Sequence, residues 1–120
     1  MSTGEFRVTV EMDDPSFPVL TLSGEVDLAV APTVGAELSA LIARHPDGVI
    51  IDVSDVSFMD SSGLNVFIVA FKALREYNGR LAIVAANDPI VRLFEIAGLS
   101  GLLHVVPSRE VAEQSVRGGA

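Results

Sequence analysis

"VIIDVSDVSFMDSSGLNVF", Val49 to Phe67, changes its hydrophobic period part-way along. Its opening residues, Val49 to Val53, are β-branched and nearly all apolar, the composition of a short strand covered on both faces by helices. That places the strand centrally in a sheet. From Ser61 the pattern turns helical, with a main apolar stripe at Leu64, Phe67, Ile68, Phe71 and Leu74, and the helix is expected to run to about Tyr77. Asn78 and Gly79 end it with a residue able to take positive φ. The junction between strand and helix holds Asp60, Ser61, Ser62 and Gly63.

Outward from this unit the remaining elements fall into place. Upstream, "FRVTVEM" alternates apolar residues at Phe6, Val8, Val10 and Met12, the period of a half-buried strand, and "DDPS" breaks it. "FPVLTLSG" reads as a second strand returning antiparallel and ended by Gly24. Val34, Leu38, Leu41 and Ile42 then mark a helix stopped by "HPDG". Downstream, "RLAIVAA" is another buried strand. "DPIVRLFEIAG" is a helix with Asp88 as N-cap, Pro89 in its first turn and Gly98 at its end. "LLHVVP" gives a last short strand, and "SREVAEQSV" a last helix capped by Ser108.

The order is therefore β-β-α-β-α-β-α-β-α, an α/β fold with a mixed central sheet packed by helices and parallel strands joined by right-handed crossovers. One domain is expected over residues 1–120, with "MSTG" and "RGGA" loose at the ends and an ordered core over about residues 5–116. In open sheets of this kind, sites lie beyond the carboxyl ends of the parallel strands. "GEVD" and "MDSSG" both fall at such ends.

Composition narrows the function. Hydrophobic residues make up 49% and charged residues 20%, a globular balance. The net charge of -8 disfavours nucleic acid and anionic membrane as partners, since both recruit clustered Lys and Arg. With no cysteine there is no disulfide, thiolate metal site or cysteine nucleophile, which suits a cytoplasmic protein. The longest apolar run, "VFIVAF", is far below the ~18 to 20 residues of a spanning helix, and the N-terminus lacks the apolar core of a signal peptide.

"DSSG" has a plain explanation, in which Asp60 caps the helix and small polar residues fill its first turn. One cap needs only one side chain, however, and here two hydroxyls and Gly63 sit beside it. A helix N-terminus also suits a phosphate, and Ser61 is the acceptor that this geometry offers. Phosphorylation would add about -1.5 to -2 charges to a surface already carrying Asp60 and the nearby Asp27.

"GEVDLAVAP", "VIIDVSDVSFMDSSGLNVF" and "VRLFEIAGL" resemble the anti-sigma factor antagonist family, whose fold is called the STAS domain (sulfate transporter and anti-sigma factor antagonist). The similarity runs from about Phe6 to the last helix. It implies a partner-switching module without enzymatic activity or cofactor. The unphosphorylated form binds an anti-sigma factor that is also an ATP-binding serine kinase, and so frees the sigma factor. The kinase phosphorylates the serine after the motif's Asp, here Ser61, and a serine phosphatase reverses the step. Asp27, Asp60, Ser62 and Gly63 match the partner-binding positions around it. The chain has "GLN" where family members often have "GLG", which puts Asn65 in place of a glycine.

Other constellations are weaker. His45 sits in the "RHPDG" turn and His104 in the expected late strand, and no "GxSxG" elbow accompanies them, so no hydrolase site assembles. Two isolated histidines have no metal-ligand spacing. No "GxxxxGK[ST]" loop is present, so ATP belongs to the kinase. Along the second helix Val66, Val69, Ala70 and Ala73 form a second apolar face, which either packs inside the domain or meets a partner near Ser61. The alternative function keeps the fold and binds a nucleotide, lipid or other small ligand, or serves as a scaffold in a sensory complex.

Overall fold

The computed structural model describes residues 5–118, so residues 1–4 and 119–120, where loose ends were expected, lie outside the described residues. The elements are β1 (Arg7–Glu11), β2 (Val19–Val26), α1 (Ala31–Ile42), β3 (Gly48–Met59), α2 (Ser61–Arg75), β4 (Arg80–Val84), α3 (Asp88–Ile96), β5 (Val105–Val106) and α4 (Arg109–Val116). They form a five-stranded sheet in the order β1-β2-β3-β4-β5, with β1 antiparallel to β2 and the other pairings parallel. This is the expected β-β-α-β-α-β-α-β-α order, with β3 in the middle.

The alternation of β3 separates two cores. Val49, Ile51 and Val53 face the main one, with Val34, Leu38 and Leu41 of α1, Leu64, Phe67 and Leu74 of α2, and Ile90 and Phe94 of α3. Phe67 and Phe94 stack there with ring centroids 6.3 Å apart. Ile50 points the other way into a smaller core of Val19, Ala82, Val84 and Val106, covered by Ala112 and Val116 of α4.

Several boundaries differ from the sequence reading, each for a local reason. β3 does not stop at Val53 but continues to Met59, and its register against β2 shifts twice, between Thr21 and Ser23 and between Gly24 and Glu25. Extra residues on one strand bend it and re-aim its side chains. Val56 and Met59 are thereby both buried in the main core, although they are three residues apart. Gly24 does not end β2. It sits inside the strand with φ 86, at the second register shift, and the strand runs on to Val26.

Asn87, not Asp88, caps α3. Its Oδ1 accepts from the Ile90 N–H at 2.8 Å, and Asp88 lies in the first turn. β5 is only Val105–Val106, because residues 102–104 form a turn that drives Leu103 fully into the main core. His104 is in that turn with φ 54, not in a strand. The second strand's pairing, the α1 stripe and the Ser108 cap of α4 follow the sequence reading.

An arginine fastens α4 across the sheet. Arg109 Nε donates to Asp52 Oδ2 of β3 at 2.9 Å, Nη1 to Glu11 Oε1 of β1 at 3.1 Å, and Nη2 to Thr21 Oγ1 of β2 at 2.9 Å. Burial pushes the Asp52 carboxyl up, but hydrogen bonds from Arg109 and Ser54 together with the Arg109 charge hold it below the usual aspartate range. A depressed carboxyl stabilises the fold fully above the ~3.9 of an unfolded aspartate. That contribution is lost as pH falls through the lower folded value. Denaturant titrations between pH 5 and pH 2 are therefore expected to show a steeper loss of stability in the native chain than in Asp52→Asn. Arg109→Met at neutral pH should cost about 1 kcal/mol, at the low end for a charged partner because Arg109 is 39% exposed.

Candidate functional site

The carboxyl ends of β2 and β3 lie side by side, with Val26 paired to Met59, and the chain leaves each into a helix. Asp60 N donates to Val26 O at 3.3 Å, so the start of α2 is tied to the end of β2. Gly63 makes this approach possible. A Cβ there would lie 2.8 Å from Met59 Cγ and 3.0 Å from Val26 Cγ1, closer than real side chains tolerate. The glycine is buried, and its position acts through packing beneath the surface.

Asp60 is the N-cap of α2. Its Oδ1 accepts from Ser62 N at 2.9 Å, from Gly63 N at 3.4 Å and from the Ser62 hydroxyl. The Ser62 hydroxyl is the main reason its carboxyl lies below the usual aspartate range, with backbone N–H groups of Ser62, Gly63 and Leu28 adding to the effect against a counteracting desolvation. Asp60 thus remains an anion under all ordinary conditions. The plain capping explanation holds for Asp60 and Ser62. It leaves out Ser61, which is exposed at the first residue of α2.

Asp27 reaches the same edge on the loop after β2. Its Oδ1 accepts from Ala29 N at 3.0 Å and Val30 N at 3.3 Å, and its carbonyl accepts from Val30 N and Ala31 N. It therefore builds the turn that starts α1, whose formal N-cap, Val30, has no side chain able to do so. The structure brings together all five residues singled out from the sequence, Asp27, Asp60, Ser61, Ser62 and Gly63, at one edge of the sheet.

Two features of that edge were not found from the sequence. Leu28 is 74% exposed beside Asp60, and Phe58 is 48% exposed near the end of β3 opposite Glu25. Their signal was apolar residues out of register with the core pattern, which cannot be recognised before the register shifts are known. Asn87 was also missed. Besides capping α3 it donates to Ser54 O at 2.9 Å and Val56 O at 3.1 Å, holding the irregular part of β3 from the other side.

The remaining candidates lie elsewhere. His45 follows α1 at the opposite end of β3 from Ser61 and stacks on Tyr77 with centroids 4.4 Å apart. Among the described residues no cluster of His, Cys, Asp and Glu could hold a metal ion, and no helix is long and apolar enough to cross a membrane. The second apolar face of α2 packs chiefly against α1, with Ala70 buried and Val66 and Ala73 half-buried. Val69 alone is left 58% exposed.

A family model described as the STAS domain matches residues 9–112. The chain belongs to the STAS domain family. The anti-sigma-B factor antagonist of Listeria monocytogenes is 39% identical to this STAS domain over 84 residues, covering 70% of this chain and 74% of that protein. Among solved structures, an anti-sigma factor antagonist from Mycobacterium paratuberculosis superposes with a TM-score of 0.87 at 28% identity, covering 98% of this chain and 99% of that one. The Bacillus cell fate determinant SpoIIAA, an anti-sigma factor antagonist, matches in its unphosphorylated form with a TM-score of 0.80 at 26% identity over 93% of this chain and 97% of that chain. Its phosphorylated form matches with a TM-score of 0.73 at 26% identity over 92% of this chain and 100% of that chain. These relatives are regulatory proteins and not enzymes.

Two outcomes follow from the packing of this STAS domain. Gly63→Ala should destabilise it by about 1 to 3 kcal/mol in denaturant titration, because Met59 and the Val26 backbone must give way. Asp27→Asn keeps a carbonyl oxygen for Ala29 and Val30 and should leave the melting temperature nearly unchanged. Asp27→Ala loses both bonds and should cost about 0.5 to 2 kcal/mol.

Proposed function

We propose that the protein is an anti-sigma factor antagonist acting in the cytoplasm, switched by phosphorylation at Ser61. Unphosphorylated, it docks on an anti-sigma factor serine kinase and releases the sigma factor. The kinase transfers phosphate from its own ATP to Ser61, and a serine phosphatase removes it. The observation that carries this reading is the exposed Ser61 hydroxyl at the N-terminus of α2, on an edge shared with Asp27 and the exposed Leu28.

The edge is suited to docking with a charge-sensitive outcome. Leu28 and Phe58 offer apolar area, with Glu25 opposite Phe58 and Asp27 and Asp60 beside Leu28, so a complementary partner surface is apolar with a basic rim. A phosphate on Ser61 of the free protein meets the positive end of α2, a favourable effect of about 0.3 to 1 kcal/mol. Against a closely docked partner the same group brings bulk and a charge that must be desolvated or paired, which can cost several kcal/mol. The interface effect wins, and docking is lost without refolding.

Incubation with the partner kinase and ATP should add one phosphate, mapped by mass spectrometry to Ser61. Ser61→Asp should keep the native circular dichroism spectrum and lose most kinase affinity in titration calorimetry, whereas Ser61→Ala should bind and resist inactivation. Tight binding by Ser61→Asp, or weak binding only because it has unfolded, would refute the docking block.

A second reading is favoured by one observation. The groove between α1 and α2, lined by Leu38, Ile42, Val66, Val69 and Ala73, encloses about 550 Å³, within the size range of small-ligand sites. A small apolar ligand there would suit the alternative of a ligand-binding module. Val69→Glu should then abolish binding of an apolar fluorescent probe while leaving Ser61 phosphorylation intact.

A further inference from the structure

Ser61 and Ser62 are adjacent and chemically identical, yet the fold treats them differently. Ser61 is exposed, whereas Ser62 is half-buried with its hydroxyl donated to Asp60 Oδ1. That oxygen also accepts the Ser62 and Gly63 N–H groups at 2.9 and 3.4 Å. We propose that Ser62 is a positioning residue whose hydroxyl holds the Asp60 carboxylate over the first turn of α2 and leaves Ser61 as the only phosphate acceptor in the junction. This rests on the reading of Ser61 as the acceptor and names what selects it.

The chemistry explains the selection. Transfer forms a bond from a serine Oγ to the γ-phosphorus of ATP and breaks the bond from that phosphorus to the bridging oxygen, which leaves with ADP. The hydroxyl proton passes to a base on the kinase. At Ser61 nothing in the motif competes for that proton. Unlike Ser61, Ser62 is half-buried with its hydroxyl turned toward Asp60, so its oxygen is not presented outward to a kinase-bound ATP. The product would then set a phosphate dianion against an ionised carboxylate, and like charges at that separation are strongly unfavourable. Two backbone N–H groups still cap Asp60 when the hydroxyl is removed, so the helix start does not depend on Ser62 alone.

The role separates from a merely structural one through the ionisation of Asp60, because the Ser62 hydroxyl is the largest influence on it. Carbon-detected NMR titration of the Asp60 carboxyl in the full chain should show its midpoint moving up in Ser62→Ala and returning in Ser62→Thr, with the circular dichroism spectrum unchanged in both. Mass mapping after kinase and ATP treatment should place phosphate on Ser61 in the native chain and in Ser62→Ala, and none on Ser62 in Ser61→Ala. An Asp60 midpoint that Ser62→Ala does not move, or phosphate accepted by Ser62 in Ser61→Ala while Asp60 is intact, overturns the proposal. A native chain phosphorylated on neither serine would instead refute the switch at Ser61, and the titration, which needs no kinase, would still decide whether Ser62 holds Asp60.

Discussion

The close approach of Gly63 to Val26 and Met59 is the contact on which the candidate site depends. Because no side chain intervenes, the first turn of α2 settles onto the ends of two parallel strands and Asp60 N reaches Val26 O. That approach requires Met59 to face the main core, and the two register shifts of β3 against β2 let Val56 face it as well. An unbroken alternation from Val53 would put residues 55, 57 and 59 on the core face, and Asp55 and Ser57 would be buried without partners. The shifts bring Val56 inward instead and leave both polar residues exposed. The irregularity of the strand is therefore a condition for an apolar floor beneath a polar edge.

On that floor the edge is acidic before any modification. The chain carries 16 acidic against 8 basic residues, and Glu25, Asp27 and Asp60 fall at the carboxyl ends of β2 and β3. The carboxylates at the turns are tied to backbone N–H groups of their own loops, so their charge is held in place by the fold. A fixed charge is a better discriminator than a mobile one, because its partner cannot relax it away. One further anion on Ser61 lands where several already stand and where no arginine or lysine of the same loops can neutralise it.

Much of this was legible in the residues. The β-branched run from Val49, the amphipathic stripes of α1 and α2 and the capping residues Asp60 and Ser108 each reflect local physics, so order and topology followed from them. The exposed place of Ser61 at the start of α2 could be read because a helix N-terminus and an adjacent acid are local too. What escaped depends on contacts between distant segments. The extension of β3 to Met59 hinges on its pairing with β2, and Gly24 looked like a stop because its positive φ is equally suited to a turn and to a strand irregularity. Asn87 and Asp88 are both good caps, and only the bonds from Asn87 to the β3 backbone decide between them. Leu28 and Phe58 could not be distinguished from core residues by hydrophobicity alone.

The two faces of the sheet divide stability from recognition. The main core, built by α1, α2 and α3, ends at the acidic edge, so a partner docked there would rest against that core. The opposite face is covered by the eight residues of α4, and its small core is closed by an arginine that spans β1, β2 and β3. Arg109 sits at the positive end of its own helix, where a cation is unfavourable, and only the carboxylates of Asp52 and Glu11 make the position acceptable. A face closed by charge in this way is more sensitive to acid and salt than one closed by packing. Asp52 and Ser61 lie on the same stretch of chain, but Asp52 is tied to α4 on one face of the sheet and Ser61 starts α2, which packs on the other. A charge added at Ser61 therefore acts on the edge it occupies without loosening the clamp on the other side.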